Sequence, residues 1–146
     1  MKKEYYKLPL DFDRFFNGDG QFEKCTEAES IDQHIELLLT TCPGKHRFNP
    51  DYGCRIWELD FQTIASFKKW EELFRNYVLE AVGRYEPRIT DIVLDIQLQD
   101  LVREERQSHS VTVRKRADIH ITARMLSTGE PIRLGYVLYL GPLSNE

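Results

Sequence analysis

Apolar residues recur along this chain at two different periods, and the period changes between Tyr85 and Ile89. In the first half Ile31, Ile35, Leu38 and Leu39 fall on one face at helical spacing. Ser30 with Gln33 three residues on gives a capping-box signature, so the spacing predicts a helix from Ser30 that Pro43-Gly44 stops. A second helix is expected to begin between Thr63 and Ser66 and to carry Phe67, Trp70, Phe74, Tyr77, Val78, Ala81 and Tyr85 along one stripe. Such a row of aromatics is a packing surface before it is a binding site.

Beyond Tyr85 the period becomes two. Ile92, Leu94, Ile96 and Leu98 alternate with Val93, Asp95, Gln97 and Gln99, the signature of a half-buried strand. In a second strand Val111, Val113, Ala117, Ile119, Ile121 and Ala123 face one way, and Arg114, Arg116, Asp118, His120 and Arg124 the other. The turn residues Ser127-Thr128-Gly129-Glu130-Pro131 then return the chain as a third strand from Ile132 to Leu140. The charged connection from Asp100 to Ser110 should be mobile. Residues 45–60 hold turn chemistry with aromatics between, which predicts an ordered loop with one short strand around Arg55 to Leu59.

Residues 1–24 show no clear period and read as an arm or irregular lead-in, with a turn signal at Asn17-Gly18-Asp19-Gly20. The arm holds six aromatics, Tyr5, Tyr6, Phe12, Phe15, Phe16 and Phe22. Packing onto their own domain is the ordinary explanation, and an interface anchor is the alternative. Residues 25–146 then form one α+β domain, two main helices packed on a small, mainly antiparallel β-sheet with a long C-terminal hairpin.

Composition narrows the function classes. At 146 residues, 41% hydrophobic and 30% charged, the chain is globular in type. A net charge of -4 and a pI near 5.6 argue against nucleic acid as a partner, because phosphate binding relies on surplus Lys and Arg. Arg114-Lys115-Arg116 reads as a solvated or protein-facing strand surface. No apolar run is long enough to span a bilayer and the N-terminus lacks the apolar region of a secretory signal, so a cytoplasmic protein without membrane insertion is expected. Cys25, Cys42 and Cys54 form no C-x-x-C pair, and His34, His46, His109 and His120 are scattered, so neither metal nor cofactor is expected.

The most informative short motif is Glu86-Pro87-Arg88, at the point where the period changes. Proline has no N–H and disfavours helical geometry in the residue before it, so the helix should end there, holding Glu86 and Arg88 on a stiff corner. Such a pair can brace the corner as a salt bridge, or offer an Arg fork to another protein.

Upstream, the segment Leu37-Leu38-Leu39-Thr40-Thr41-Cys42-Pro43-Gly44-Lys45-His46-Arg47-Phe48-Asn49-Pro50-Asp51-Tyr52-Gly53-Cys54, followed in order by the Glu-Pro-Arg corner and a β-rich tail, resembles the phage baseplate wedge and sheath-initiator family, often labelled GPW-type or lysozyme-like. The family includes the TssE component of type VI secretion baseplates. The resemblance covers roughly Ser30 to Leu140, with one departure, Lys45-His46 where the family has a single residue before Arg47. It implies a structural baseplate component of a contractile injection machine: type VI secretion, or alternatively a phage tail or extracellular injection particle. It further implies that Glu86, Pro87 and Arg88 contact the baseplate wedge proteins, while the hairpin pairs with contractile sheath subunits. Val137-Leu138-Tyr139-Leu140 carries no internal proline or charge to guard a strand edge, so it is the candidate sheath-pairing segment.

The lysozyme-like label raises a glycoside-hydrolase alternative, in which Glu86 would be the general acid. Arg88 beside it should lower its pKa, the wrong direction for an acid, and Asp51 or Asp60 are weak candidates for the second carboxylate. No catalytic residue is therefore assigned.

Overall fold

The computed structural model describes residues 3–59, 67–107 and 110–140. Strand β1 (Tyr5–Tyr6), helix α1 (Phe12–Asn17) and strand β2 (Lys24–Cys25) come first, with β1 and β2 paired antiparallel. The lead-in is therefore a small hairpin-like unit rather than an irregular segment. A six-residue helix and two-residue strands are too short to show a period in sequence.

Helix α2 (Glu27–Thr40) starts earlier than Ser30. Its cap is Thr26, whose hydroxyl accepts from the Glu29 N–H while the Glu29 carboxylate accepts from the Thr26 N–H. Thr26-x-x-Glu29 carries the same signature as Ser30-x-x-Gln33, and its Glu adds a favourable charge at the helix N-terminus. Ile31, Ile35, Leu38 and Leu39 are fully buried, as the spacing predicts. The helix ends at Thr40, ahead of Pro43. The expected strand at Arg55 to Leu59 is instead a 3-10 turn over Arg55–Glu58, which buries Ile56. There the Trp57 indole N–H donates to the Leu39 carbonyl at 2.7 Å, so the turn closes on the end of α2.

Helix α3 (Phe67–Tyr85) buries Trp70, Phe74, Val78, Ala81 and Val82, with Tyr77 and Tyr85 half-buried. The expected start at Thr63 to Ser66, and Asp60, lie outside the described residues. Strands β3 (Ile89–Glu105), β4 (Ser110–Met125) and β5 (Pro131–Leu140) form an antiparallel meander in that order. The presumption of a mobile stretch from Asp100 is corrected: Asp100 through Glu105 pair with Lys115 through Ser110, extending the β3–β4 ribbon. In sequence the adjacent pair Leu101-Val102 among Asp100, Arg103, Glu104 and Glu105 leaves no alternation to read, but this does not prevent backbone pairing.

Both helices cover the face of the sheet that bears Leu94, Ile96, Ala117, Ile119, Ile121, Leu134, Tyr136 and Leu138, and these side chains make one core. The Tyr136 hydroxyl sits at the edge of that core and donates to the Asp32 carboxylate at 2.7 Å, tying β5 to α2. The architecture is the expected α+β arrangement, with the small β1–β2 pair added.

Candidate functional site

Tyr85 closes α3 and Ile89 opens β3, so the corner is where the prolyl residue predicts it. Glu86 still follows the helical path, its N–H donating to the Val82 carbonyl at 3.0 Å, and this turns its side chain inward. It is 1% exposed and is the buried charged side chain of the described core. Pro87 lies exposed at the apex, and Arg88 folds back over the carboxylate.

Arg88 grips Glu86 with a two-pronged fork. Its Nε donates to Oε1 at 2.7 Å, its Nη2 to Oε2 at 2.8 Å, and its own backbone N–H adds a third bond to Oε1 at 3.2 Å. From α2, the His34 Nδ1 lies 2.7 Å from Oε2, and an ionised carboxylate requires that nitrogen to be the donor. The remaining Arg88 prong, Nη1, donates to the Ser30 hydroxyl at 2.9 Å, and the Tyr5 ring lies 5.3 Å from the guanidinium carbon. Burial alone would raise the Glu86 pKa. The hydrogen bonds from Arg88 and His34, with the Arg88 charge, outweigh it and hold the carboxyl down at about 2. Arg88 is in turn pushed up, first by its bond to Glu86.

The upstream block closes onto this corner. Gly53 has φ +133, and a Cβ there would fall 2.5 Å from the Thr41 carbonyl oxygen, so the tight return of the loop beside the end of α2 requires glycine. The Cys54 N–H donates to that same carbonyl at 2.9 Å and the Gly44 N–H to the Pro50 carbonyl at 2.7 Å, which sets the loop's base. Tyr52 then packs between His34, at 6.0 Å, and Tyr85, at 5.1 Å, while the Tyr85 hydroxyl donates to the Asp51 carbonyl at 2.7 Å. The two blocks that are distant in sequence are thus one packed unit, with the His46 ring 5.3 Å from Tyr52 at its margin, and Lys45, Arg47 and Phe48 project from it into solvent.

The candidate sheath-pairing residues lie at the other side of the domain. Leu138 and Leu140 point into the core, whereas Val137 and Tyr139 are 45% and 55% exposed. β5 pairs with β4 from Pro131 to Leu140 with no break in register, and no described strand covers its outer edge. The opposite edge strand, β3, is broken by a register shift between Thr90 and Val93, with Asp91 at φ 54. A bulge of this kind blunts an edge, so β5 is the flatter of the two.

Reasoning from sequence finds Glu86, Pro87 and Arg88 but misses Ser30, His34 and Tyr5. The signal for the first two is their four-residue spacing beside Ile31 and Ile35, which sets polar groups against the buried stripe. Tyr5 has no such signal, since only the folded arm brings it to Arg88.

The profile of the family described as baseplate wedge protein gp25 matches residues 25–130. No curated protein matches the chain. Among solved structures, the chain is similar to a protein from Geobacter sulfurreducens named as a tail lysozyme, with 25% identity and a TM-score of 0.55, over 82% of this chain and 96% of that one. The chain belongs to the baseplate wedge protein gp25 family.

Proposed function

We propose that the chain is a structural, non-catalytic baseplate component of a type VI secretion machine, TssE-like, that docks on the wedge through the corner and starts the sheath along β5. The observation that carries this reading is the internal clamp on Arg88. Glu86, itself held by His34, and Ser30 fix the guanidinium at a half-buried, proline-stiffened corner, so its outward side is held in one geometry before a partner arrives. Preorganised arginines of this kind suit protein interfaces because little side-chain freedom remains to be lost on binding. At the far side, the unbroken β5 edge, with Val137 and Tyr139 facing out and Leu138 and Leu140 anchoring it, is suited to accept a sheath strand by main-chain hydrogen bonding. The proposed domain runs from residue 25 to 146, in the cytoplasm, with no cofactor.

The same clamp argues against the hydrolase suggested by the name of the Geobacter protein. A general acid needs a proton near neutral pH and access to substrate, whereas Glu86 is ionised down to about pH 2 and sealed. Of the two candidates for a second carboxylate, Asp51 meets the corner through its backbone carbonyl, which accepts from Tyr85, and Asp60 lies outside the described residues.

The test is co-expression with the wedge and sheath proteins encoded beside it. A stable complex with the wedge, sheath polymers that need this chain, and no peptidoglycan hydrolysis are expected. A chain that stays apart from the wedge, or hydrolysis that disappears in Glu86→Gln, overturns the reading. Neighbouring genes for sheath, inner tube and a secretion ATPase distinguish type VI secretion from a phage tail or an extracellular particle.

A further inference from the structure

A cleft of about 220 Å³ runs between α2 and the outer edge of β5. Its walls are Asp32, Glu36, Leu39 and Thr40 from α2 and the stretch Gly135 to Leu138 from β5. β5 is the last strand of its sheet, so beyond the inward-facing Tyr136 and Leu138 no described strand continues the layer under the helix. Space beneath a helix and beside an open edge is where the side chains of one more strand would lie.

The charge of this cleft is one-sided. α2 carries four carboxylates, Glu27, Glu29, Asp32 and Glu36, and no Lys or Arg. Of these Asp32 and Glu36, one turn apart, line the cleft, and neither enters an ion pair among the described residues. The Tyr136 hydroxyl donates to Oδ1 of Asp32 at 2.7 Å and so fixes that carboxylate in place. Burial pushes the Tyr136 hydroxyl up, and after it the bond to Asp32 and the charges of Asp32, Glu36 and Glu86 push the same way. The one cation of β5, Arg133, lies on the opposite face, between the buried Ile132 and Leu134. No Lys, Arg or His among the lining residues offsets the two acids.

The open edge and the one-sided charge together select an occupant. An edge of unpaired backbone groups takes an extended segment by main-chain hydrogen bonds, and pockets beside it read alternate side chains. On an added strand the residue directly opposite Tyr136 or Leu138 has its Cβ about 5 Å from theirs and faces α2. We infer that the strand accepted by β5 carries a Lys or Arg at such a position, with its cationic end seated between Asp32 and Glu36. This rests on the reading of β5 as the sheath-accepting edge, and the partner is the sheath subunit. A second copy of this chain is a poor occupant, because two-fold pairing of β5 with itself would set Asp32 and Glu36 against their own equivalents. An anionic lipid or nucleic-acid surface is disfavoured by the same charge.

The experiment measures the affinity of the full chain for the sheath subunit encoded beside it, over a range of salt concentrations. Asp32→Asn with Glu36→Gln removes both charges and keeps an acceptor for the Tyr136 hydroxyl, so the melting temperature should hold. The dissociation constant should rise at least about tenfold, and its salt dependence should flatten. Glu36→Gln alone, at a side chain with no hydrogen bond among the described residues, should give part of that loss. Val137→Lys with Tyr139→Lys reports separately on pairing at β5. Wild-type affinity in the neutral variant, together with a loss in the edge variant, overturns the role of the cleft and leaves β5 pairing intact. Wild-type affinity in both overturns both. A loss in the neutral variant alone means that the acids act away from β5, and a neutral variant that keeps its sheath affinity but dimerises shows that they only hold copies apart. Either result overturns the inference.

Discussion

The Glu86 corner and the β5 edge put their polar groups to opposite use. At the corner both carboxylate oxygens, the guanidinium and a histidine are matched inside the chain, so removing the buried Glu86 alone leaves Arg88 without its counter-charge, whereas the half-exposed His34 can turn to water. Along the outer side of β5 a row of backbone groups has no described strand to pair with, and substitution of the side chains facing out touches nothing in the core. Internal satisfaction marks an element that positions, and unsatisfied hydrogen-bonding capacity marks one that receives. Stability measurements and assembly measurements should therefore separate the two regions.

Glu86→Ala should have the largest effect, about 3–5 kcal/mol of destabilisation, because it strands Arg88 against a buried void. Urea denaturation measures it, and a cost below about 1 kcal/mol would place Glu86 with ordinary surface residues and erase the contrast. Next is the response to acid. The folded carboxyl titrates near 2 against an ordinary value of 4.5, so the stability it contributes is complete above pH 4.5 and is lost as pH falls toward 2. The loss should be on the order of 3 kcal/mol. Denaturation midpoints between pH 5 and pH 2 should show this decline in the wild type and a much shallower one in Glu86→Met/Arg88→Met.

A smaller effect sharpens the picture of Ser30. Because its hydroxyl accepts from Arg88 and does not cap α2, Ser30→Ala should cost about 1 kcal/mol in the wild type and nearly nothing in the Glu86→Met/Arg88→Met background. Equal costs in both backgrounds would detach Ser30 from the corner. The smallest stability effect belongs to the edge. Val137→Lys with Tyr139→Lys should change folding by less than about 0.5 kcal/mol yet prevent sheath assembly, since lysines on an edge strand discourage pairing. Normal sheath frequency, counted as fluorescent foci in cells, would remove β5 from the initiator role.

Much of this fold is legible from side-chain period alone, because Ile31 to Leu39, Trp70 to Val82 and the strands after Ile89 each bury one face of a regular element. What escapes has a physical reason in each case. Thr26 and Ser30 offer similar caps, and tertiary contact decides between them, since Ser30 is engaged by Arg88. The ribbon from Asp100 to Glu105 is held by backbone pairing that polar residues do not advertise. The corner motif is readable as a charge pair at a proline, but its burial is not. His34 and Ser30 come from a different helix, and with the inward turn of Glu86 they make a sealed clamp of what would otherwise be an exposed salt bridge worth under about 1 kcal/mol.

The central claim, that the corner is a preorganised docking element and more than a brace, is tested most directly by replacing the clamp with its apolar counterpart. Exchanging a buried ion pair for hydrophobic residues of similar volume is often neutral for stability, so Glu86→Met/Arg88→Met should melt near the wild type while lacking the guanidinium. Affinity for the purified wedge complex should then fall by about thirtyfold, corresponding to about 2 kcal/mol for an arginine at the centre of an interface. A folded double variant that binds the wedge with unchanged affinity would contradict the account and leave Glu86 and Arg88 as structural residues alone.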